Sequence, residues 1–370
     1  MKKVLIIVFS IALLYSCGDN DSPGETKNDF DRTALLTNWA DNIIIPSYTN
    51  YQTKVTSLNT SIANFNANPT EANLLIVRND WKAAYLAYQY VAIYNVGKAE
   101  EISFKESTNT YPTDVAGITT NIQSNSYNLE LLSQYSKQGF PAVDYVINGL
   151  ASTDAAIVAF YVTNTNATNY KQYLAALGLR LKSNADAIVT NWTQSYRNTF
   201  VADNGTSVSS SVNRITNNFV KSFEKDVRAG KVGIPAGVYS SGTLFPEKTE
   251  AYYVTGFSKE LLTASIQASQ DFFNGKYFAS ATTGSSLKSY LDYVNAVRNN
   301  QKLSDIINNQ FATIFTTNNA LNNSLSQQVI NDNSKMISSF DALQQNVIYL
   351  KLDMMQALNI TIDYVDGDGD

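Results

Sequence analysis

The chain has 370 residues, 27 basic against 32 acidic side chains, 44% hydrophobic residues and no histidine. A net charge of −5 offers no electrostatic footprint for nucleic acid, and the hydrophobic content excludes a disordered polypeptide. Without imidazole, histidine-activated nucleophiles and histidine-bearing zinc sites are excluded, so an ion site must use oxygen ligands, which favour a hard cation such as iron, Ca or Mg.

In chain order, Met1-Lys2-Lys3 leads into an apolar run from Val4 to Leu14 that is too short to span a bilayer and ends in Leu14-Tyr15-Ser16-Cys17. The pattern predicts a lipoprotein signal peptide over residues 1–16, with Cys17 as the lipidated first residue of the mature protein. The expected location is therefore the cell envelope, lipid-anchored and at the outer membrane, on its periplasmic or surface face. Acyl chains hold such an anchor at ~0.8 kcal/mol per buried CH₂. Cys17 is the only cysteine, which leaves no internal disulfide framework. The polar, turn-rich residues 17–29 read as a flexible tether. Removing residues 1–16 takes away two lysines and no acids, leaving 25 basic against 32 acidic side chains, a balance of −7.

Leu35, Leu36, Trp39 and Ile43, then Tyr48, Tyr51, Val55, Leu58, Ile62 and Phe65, keep one face apolar, and predict a long helix kinked at Pro46. Asn68-Pro69-Thr70-Glu71 predicts a second helix start, with Asn68 as cap, Pro69 first in the helix and Glu71 reaching back. That helix runs through Val77, Trp81, Tyr85 and Tyr88 to a stop at Gly97. Residues 98–138 form a long connection with short helices expected near 113–121 and 126–136. Pro141 and Gly149 bound a further helix. Stripes follow at Tyr170 through Trp192 and at Val212 through Val227. Next come a glycine-rich loop from Gly230 to Phe245, a helix through Tyr252 and Leu261, and a last stripe from Met336 to Leu358. The pattern predicts an all-α protein of two antiparallel helical bundles, four-helix-bundle-like, over residues 30–200 and 201–370. The aromatic residues Trp81, Tyr85, Tyr88 and Trp192 stand at core spacing and read as packing.

Five segments in order resemble the imelysin-like family: Leu36 to Tyr48, Asn68-Pro69-Thr70 with Trp81-Lys82-Ala83-Ala84, Tyr111-Pro112-Thr113-Asp114, Gly139 to Tyr145, and Leu352 to Asp368. The resemblance covers about Phe30 to Asp370. It implies a secreted or lipid-anchored envelope protein of two helical bundles with a site at their junction. Some members are metal-dependent peptidases, and others are relatives of an iron-uptake component. The Gly-x-His-x-x-Glu signature of the family falls on Gly139-Phe140-Pro141-Ala142-Val143-Asp144, so Pro141 stands for the histidine and Asp144 for the glutamate. Pro141 neither ligates a metal nor relays a proton.

The binding residues expected from this placement are Glu100, Asp114, Gly139, Asp144 and Tyr145, with Glu100, Asp114 and Asp144 as oxygen ligands of one cation. Asp144 has a second explanation, as an anion near a helix start at Pro141, favoured by the macrodipole. Pro141 in turn has the bland role of setting the helix entry. Glu101, Glu247 and Glu250 read as solvated helix ends, and Arg78 as a structural partner for an acid. Asp366-Gly367-Asp368-Gly369-Asp370 mimics the start of a calcium loop without its remaining ligands. Gly237 to Gly242 lacks phosphate-loop spacing, so no nucleotide is expected. The leading expectation is a non-catalytic binding protein linked to iron or other metal acquisition, with an envelope transport partner. The alternatives are a metal-dependent peptidase and a surface glycan-binding or adhesion module.

Overall fold

A computed structural model describes residues 30–364. The expected signal peptide, Cys17, the tether and the terminal Asp366-Gly367-Asp368-Gly369-Asp370 lie outside the described residues. Helices α1 to α8 span residues 32–67, Glu71–Gln89, Lys98–Glu101, Phe104–Asn109, Val115–Ser124, 139–149, Asp154–Val162 and 167–202. Helices α9 to α11 follow at residues 211–233, Ser258–Phe273 and Leu287–Tyr293. The hairpin of β1 (Val297–Arg298) and β2 (Gln301–Lys302) comes next. The described chain closes with α12 (Leu303–Asn319), α13 (Leu325–Asn331) and α14 (residues 333–357). The all-α expectation holds, and this hairpin holds the only strands among the described residues.

Proline shapes α1. Pro46 has no amide hydrogen for the carbonyl of Asn42, and that carbonyl accepts instead from the Phe278 amide at 2.8 Å. The disturbance is absorbed by a π-helical stretch over Trp39–Ile44, and the helix continues to Ala67. Tyr48, Tyr51, Val55, Leu58, Ile62 and Phe65 are all buried, as their spacing demands. This face packs on α2 and α8. Trp81, Tyr85, Tyr88 and Trp192 are buried too, in ring clusters such as Tyr85 on Phe140.

Two expected boundaries move. Asn68 closes α1 rather than opening α2, because Pro69 drives the residue before it out of the helical region. The cap of α2 is Thr70, whose Oγ1 accepts from the Asn73 amide at 3.2 Å, and α2 ends at Gln89 rather than at Gly97. The helix expected through Tyr252 begins only at Ser258, because Ala251 and Gly256 both take left-handed backbone. Residues 249–257 therefore run as an irregular strap. Helix α9 carries on to Gly233 through a π-helical stretch, so the loop expected from Gly230 starts at Ile234.

The described residues from Asp31 to Tyr364 form one compact unit. Helix α10 lies on α2, and the start of α1 packs against the end of α8 and the first half of α9. The helices before and after residue 200 therefore meet along a seam, and the strap crosses it.

Candidate functional site

The seam is built around the entry to α6. Gly139 sits at φ +76°, and a Cβ there would lie 2.1 Å from the Thr108 carbonyl oxygen of α4, so only glycine lets the two segments approach. The Trp81 indole donates to the Phe140 carbonyl at 3.1 Å, and Tyr85 stacks on the Phe140 ring at 4.5 Å. These contacts fix α6 on α2. Pro141 is third in the helix, where the missing amide hydrogen has no intrahelical partner to lose.

Asp144 is 1% exposed. Its Oδ1 accepts from Asn148 Nδ2 at 2.8 Å and its Oδ2 from the Tyr253 amide at 2.9 Å, so the carboxyl clasps the strap to α6. Burial pushes its pKa up to about 7, against the pull of Asn148, the amides of Tyr253 and Val254, and the Arg78 charge. The helix-start explanation fails on position. The helix begins at Gly139, two residues before Pro141, and Asp144 stands beyond its first turn. Tyr145 packs on Tyr253 with ring centroids 5.2 Å apart.

The expected three-carboxylate cation site does not form. Exposed Glu100 pairs with Arg214. Asp114 caps α5 by accepting from the Gly117 amide at 2.8 Å, with Lys137 Nζ at 3.9 Å. Among the described residues no three acidic or cysteine side chains are grouped to hold a metal ion. The physical reason is that each acid has found its own local partner, and both oxygens of Asp144 already face N–H donors. A resident metal does not fit this donor set. Arg78 is structural, as expected, but its partners are the Ile147 carbonyl, at 3.0 and 2.8 Å, and Asp154 at 2.8 Å. Glu101, paired with Lys98 at 2.6 Å, and Glu247 lie at the surface as expected.

Glu250 does not lie at the surface. It is 1% exposed and ion-paired to Lys231, itself 3% exposed. Asn109 Nδ2 also donates to its Oε1 at 2.8 Å, and the Tyr85 hydroxyl donates to Asn109 Oδ1. Lys231, but not Glu250, lines a cavity of about 420 Å³ between α2, α4, α9 and α10. Lys105, Lys225 and Lys248 line it as well. Lys105 Nζ lies 2.5 Å from Asp226, and Lys248 Nζ stands 3.7 Å over the Phe245 ring. Tyr111 and Pro112 separate this cavity from a narrow crevice at Pro141 and Asp144, and line both. Sequence reasoning missed the cavity. The available signal was the spacing of Lys221, Lys225, Arg228 and Lys231, which puts cationic residues at helical intervals along α9.

The family model described as Imelysin matches residues 44–351. Iron-regulated protein A of Synechococcus elongatus is 25% identical over 166 residues, 44% of this chain and 42% of that protein, so the match spans under half of the relative. Two crystal structures share the fold. One, from Parabacteroides distasonis, is of a protein designated an iron-regulated protein A precursor. It has a TM-score of 0.72 and 15% identity, covering 89% of this chain and 95% of that one. The other is an imelysin-like protein of Psychrobacter arcticum, with a TM-score of 0.69 and 16% identity, covering 90% and 97%.

Proposed function

The chain belongs to the imelysin family, and on that premise we propose that it is a non-catalytic binding protein of the cell envelope that holds an iron-bearing ligand at the seam between its helical halves. The observation that carries the reading is the state of the family signature. Pro141 stands in the place of the imidazole, and the Asp144 carboxyl is buried with both oxygens engaged by N–H groups. A carboxyl so placed is a clasp between α6 and the strap. It has neither the free oxygen nor the grouped partners needed to position a metal-bound water. The 420 Å³ cavity beside it has the size of a small-ligand site. The iron connection comes from the relatives designated iron-regulated protein A.

The test is retention. Protein incubated with ferric citrate and passed through a desalting column is expected to carry close to one equivalent of iron and to leave casein intact. Loss of all iron on the column, or cleavage of casein that a chelator abolishes, would replace this reading with the peptidase one. The anchor belongs to the same proposal: Cys17→Ala is expected to move the protein from the membrane to the soluble fraction. An envelope transport partner would meet it there.

A further inference from the structure

We infer that the seam cavity is a site for an uncharged polyhydroxylated ligand, a sugar or polyol. The inference rests on the binding reading above and names the organic part of the ligand. The charged side chains of the lining have local contacts. Lys105 pairs with Asp226 and Lys231 with Glu250, Lys248 rests on the Phe245 ring, and Lys225 lies 5.5 Å from the centre of the Tyr364 ring. The groups left without a partner are neutral. Among the described residues no hydrogen bond reaches the hydroxyls of Tyr88, Tyr111 and Ser222 or the side-chain carbonyl of Gln89, and all four residues line the cavity. Three of them are buried in the seam, Tyr88 and Gln89 at 2% exposure and Ser222 at 5%.

Three segments present these groups: the end of α2, the turn after α4 and the middle of α9. Gly230 of α9 also lines the cavity, and a Cβ there would lie 3.3 Å from the Tyr111 hydroxyl, so glycine leaves that hydroxyl room. The Gln89 amide is fixed in one sense. Its Nε2 donates to the Tyr85 carbonyl at 3.3 Å and to Glu250 Oε1 at 3.4 Å, and turning it over would set oxygen against oxygen. Burial, with Asp226 near Tyr88 and Glu250 near Tyr111, pushes both phenols well above their ordinary pKa. At pH 7 they are hydroxyls, able to give and to take a hydrogen bond, and not phenolate ligands for a metal. A polar group enclosed with no partner is costly, and the ligand that removes the cost must match it. The Gln89 carbonyl asks for a donor, which a deprotonated anion lacks, and the three hydroxyls accept either role. A polyol supplies O–H groups of both kinds, and Ile93, Val227 and Ile234 of the lining offer apolar surface to its C–H groups. Iron would enter as a chelate of such a ligand, whose oxygens are hard donors, which agrees with the missing carboxylate cluster.

The experiment is a calorimetric titration of the purified full chain at pH 7 with metal-free D-glucose, N-acetyl-D-glucosamine and myo-inositol, each to about 10 mM. Fully O-methylated glucose, which keeps acceptors and has no O–H donor, is the control. At least one of the three is expected to bind and the control is not, with Kd changing less than about twofold from 20 to 200 mM NaCl because no charge is matched. Tyr88→Phe/Tyr111→Phe removes only the two hydroxyls and is expected to weaken binding about fivefold or more. Its urea midpoint is expected to equal or exceed that of the parent chain, since the fold makes no use of those hydroxyls. The inference is overturned if none of the three binds, if the control binds equally, if salt raises Kd tenfold, or if the double variant binds unchanged. A lowered urea midpoint overturns it too, because the hydroxyls would then serve the fold. Iron retention is read separately. Iron held from ferric citrate, with no polyol bound and no effect of the tyrosine changes, sinks the polyol site and leaves the iron reading standing. A polyol bound with no iron retained does the reverse.

Discussion

Replacing Asp144 by asparagine isolates the buried carboxyl. In the folded chain its pKa is about 7, raised from 3.8 by burial, so the folded state holds this proton more tightly than the unfolded state between those values. Stability is therefore lost as pH rises from about 4 to about 7. At ~1.4 kcal/mol per unit, the roughly three-unit gap amounts to about 4 kcal/mol. The charged and titratable groups facing it are Arg78 from α2, which opposes the shift, and Tyr253 from the strap, whose pKa is pushed up to about 12, chiefly by burial. Asparagine keeps the oxygen that receives the Tyr253 amide. Its new amide hydrogens face Asn148, which satisfies them by turning its own amide over. Asp144→Asn is thus expected to be close to wild type at pH 4 and more stable by about 4 kcal/mol at pH 8. Urea unfolding of both proteins at unit intervals from pH 4 to 8, with equal m-values, measures the difference directly. A stability difference constant across that range would refute the reasoning, because it would mean that Asp144 titrates alike in the folded and unfolded chain.

Gly139→Ala is expected to cost at least about 2 kcal/mol in urea unfolding, since left-handed backbone alone costs a Cβ-bearing residue ~1–2 kcal/mol and the added methyl meets the Thr108 carbonyl. Glu250→Ala strands the Lys231 ammonium in the seam and is expected to cost about 3–5 kcal/mol, while Glu250→Met/Lys231→Met recovers most of that in the same assay. Arg78→Met removes two hydrogen bonds from the Ile147 carbonyl and one from Asp154, and is expected to destabilise by about 2–3 kcal/mol, read as a lowered Tm.

Much of the architecture was readable along the chain. The faces of α1, α8, α9 and α14 obey a local rule, since residues three and four apart share a side, and burial acts on that side. The misreadings came where two local signals competed. Asn68 is a good cap residue, but the proline after it settles its conformation. Tyr252 fits a helical period that Ala251 breaks by turning left-handed, and nothing local marks an alanine for that role. The candidate site was readable only in part. Gly139, Pro141 and Asp144 were found because they lie in one segment, whereas Glu250 looked like a surface acid until its partner arrived from α9.

By itself, the sequence determined the helical class, the buried stripes and the exclusion of imidazole chemistry. All of these depend on residue identity and spacing within a few turns. Only the tertiary structure decided that Glu100, Asp114 and Asp144 go to separate partners, and that lysines from positions 105, 225, 231 and 248 surround one cavity. Coulomb energy depends on distance through space, and for residues a hundred or more positions apart that distance is set by the packing of helices at the seam.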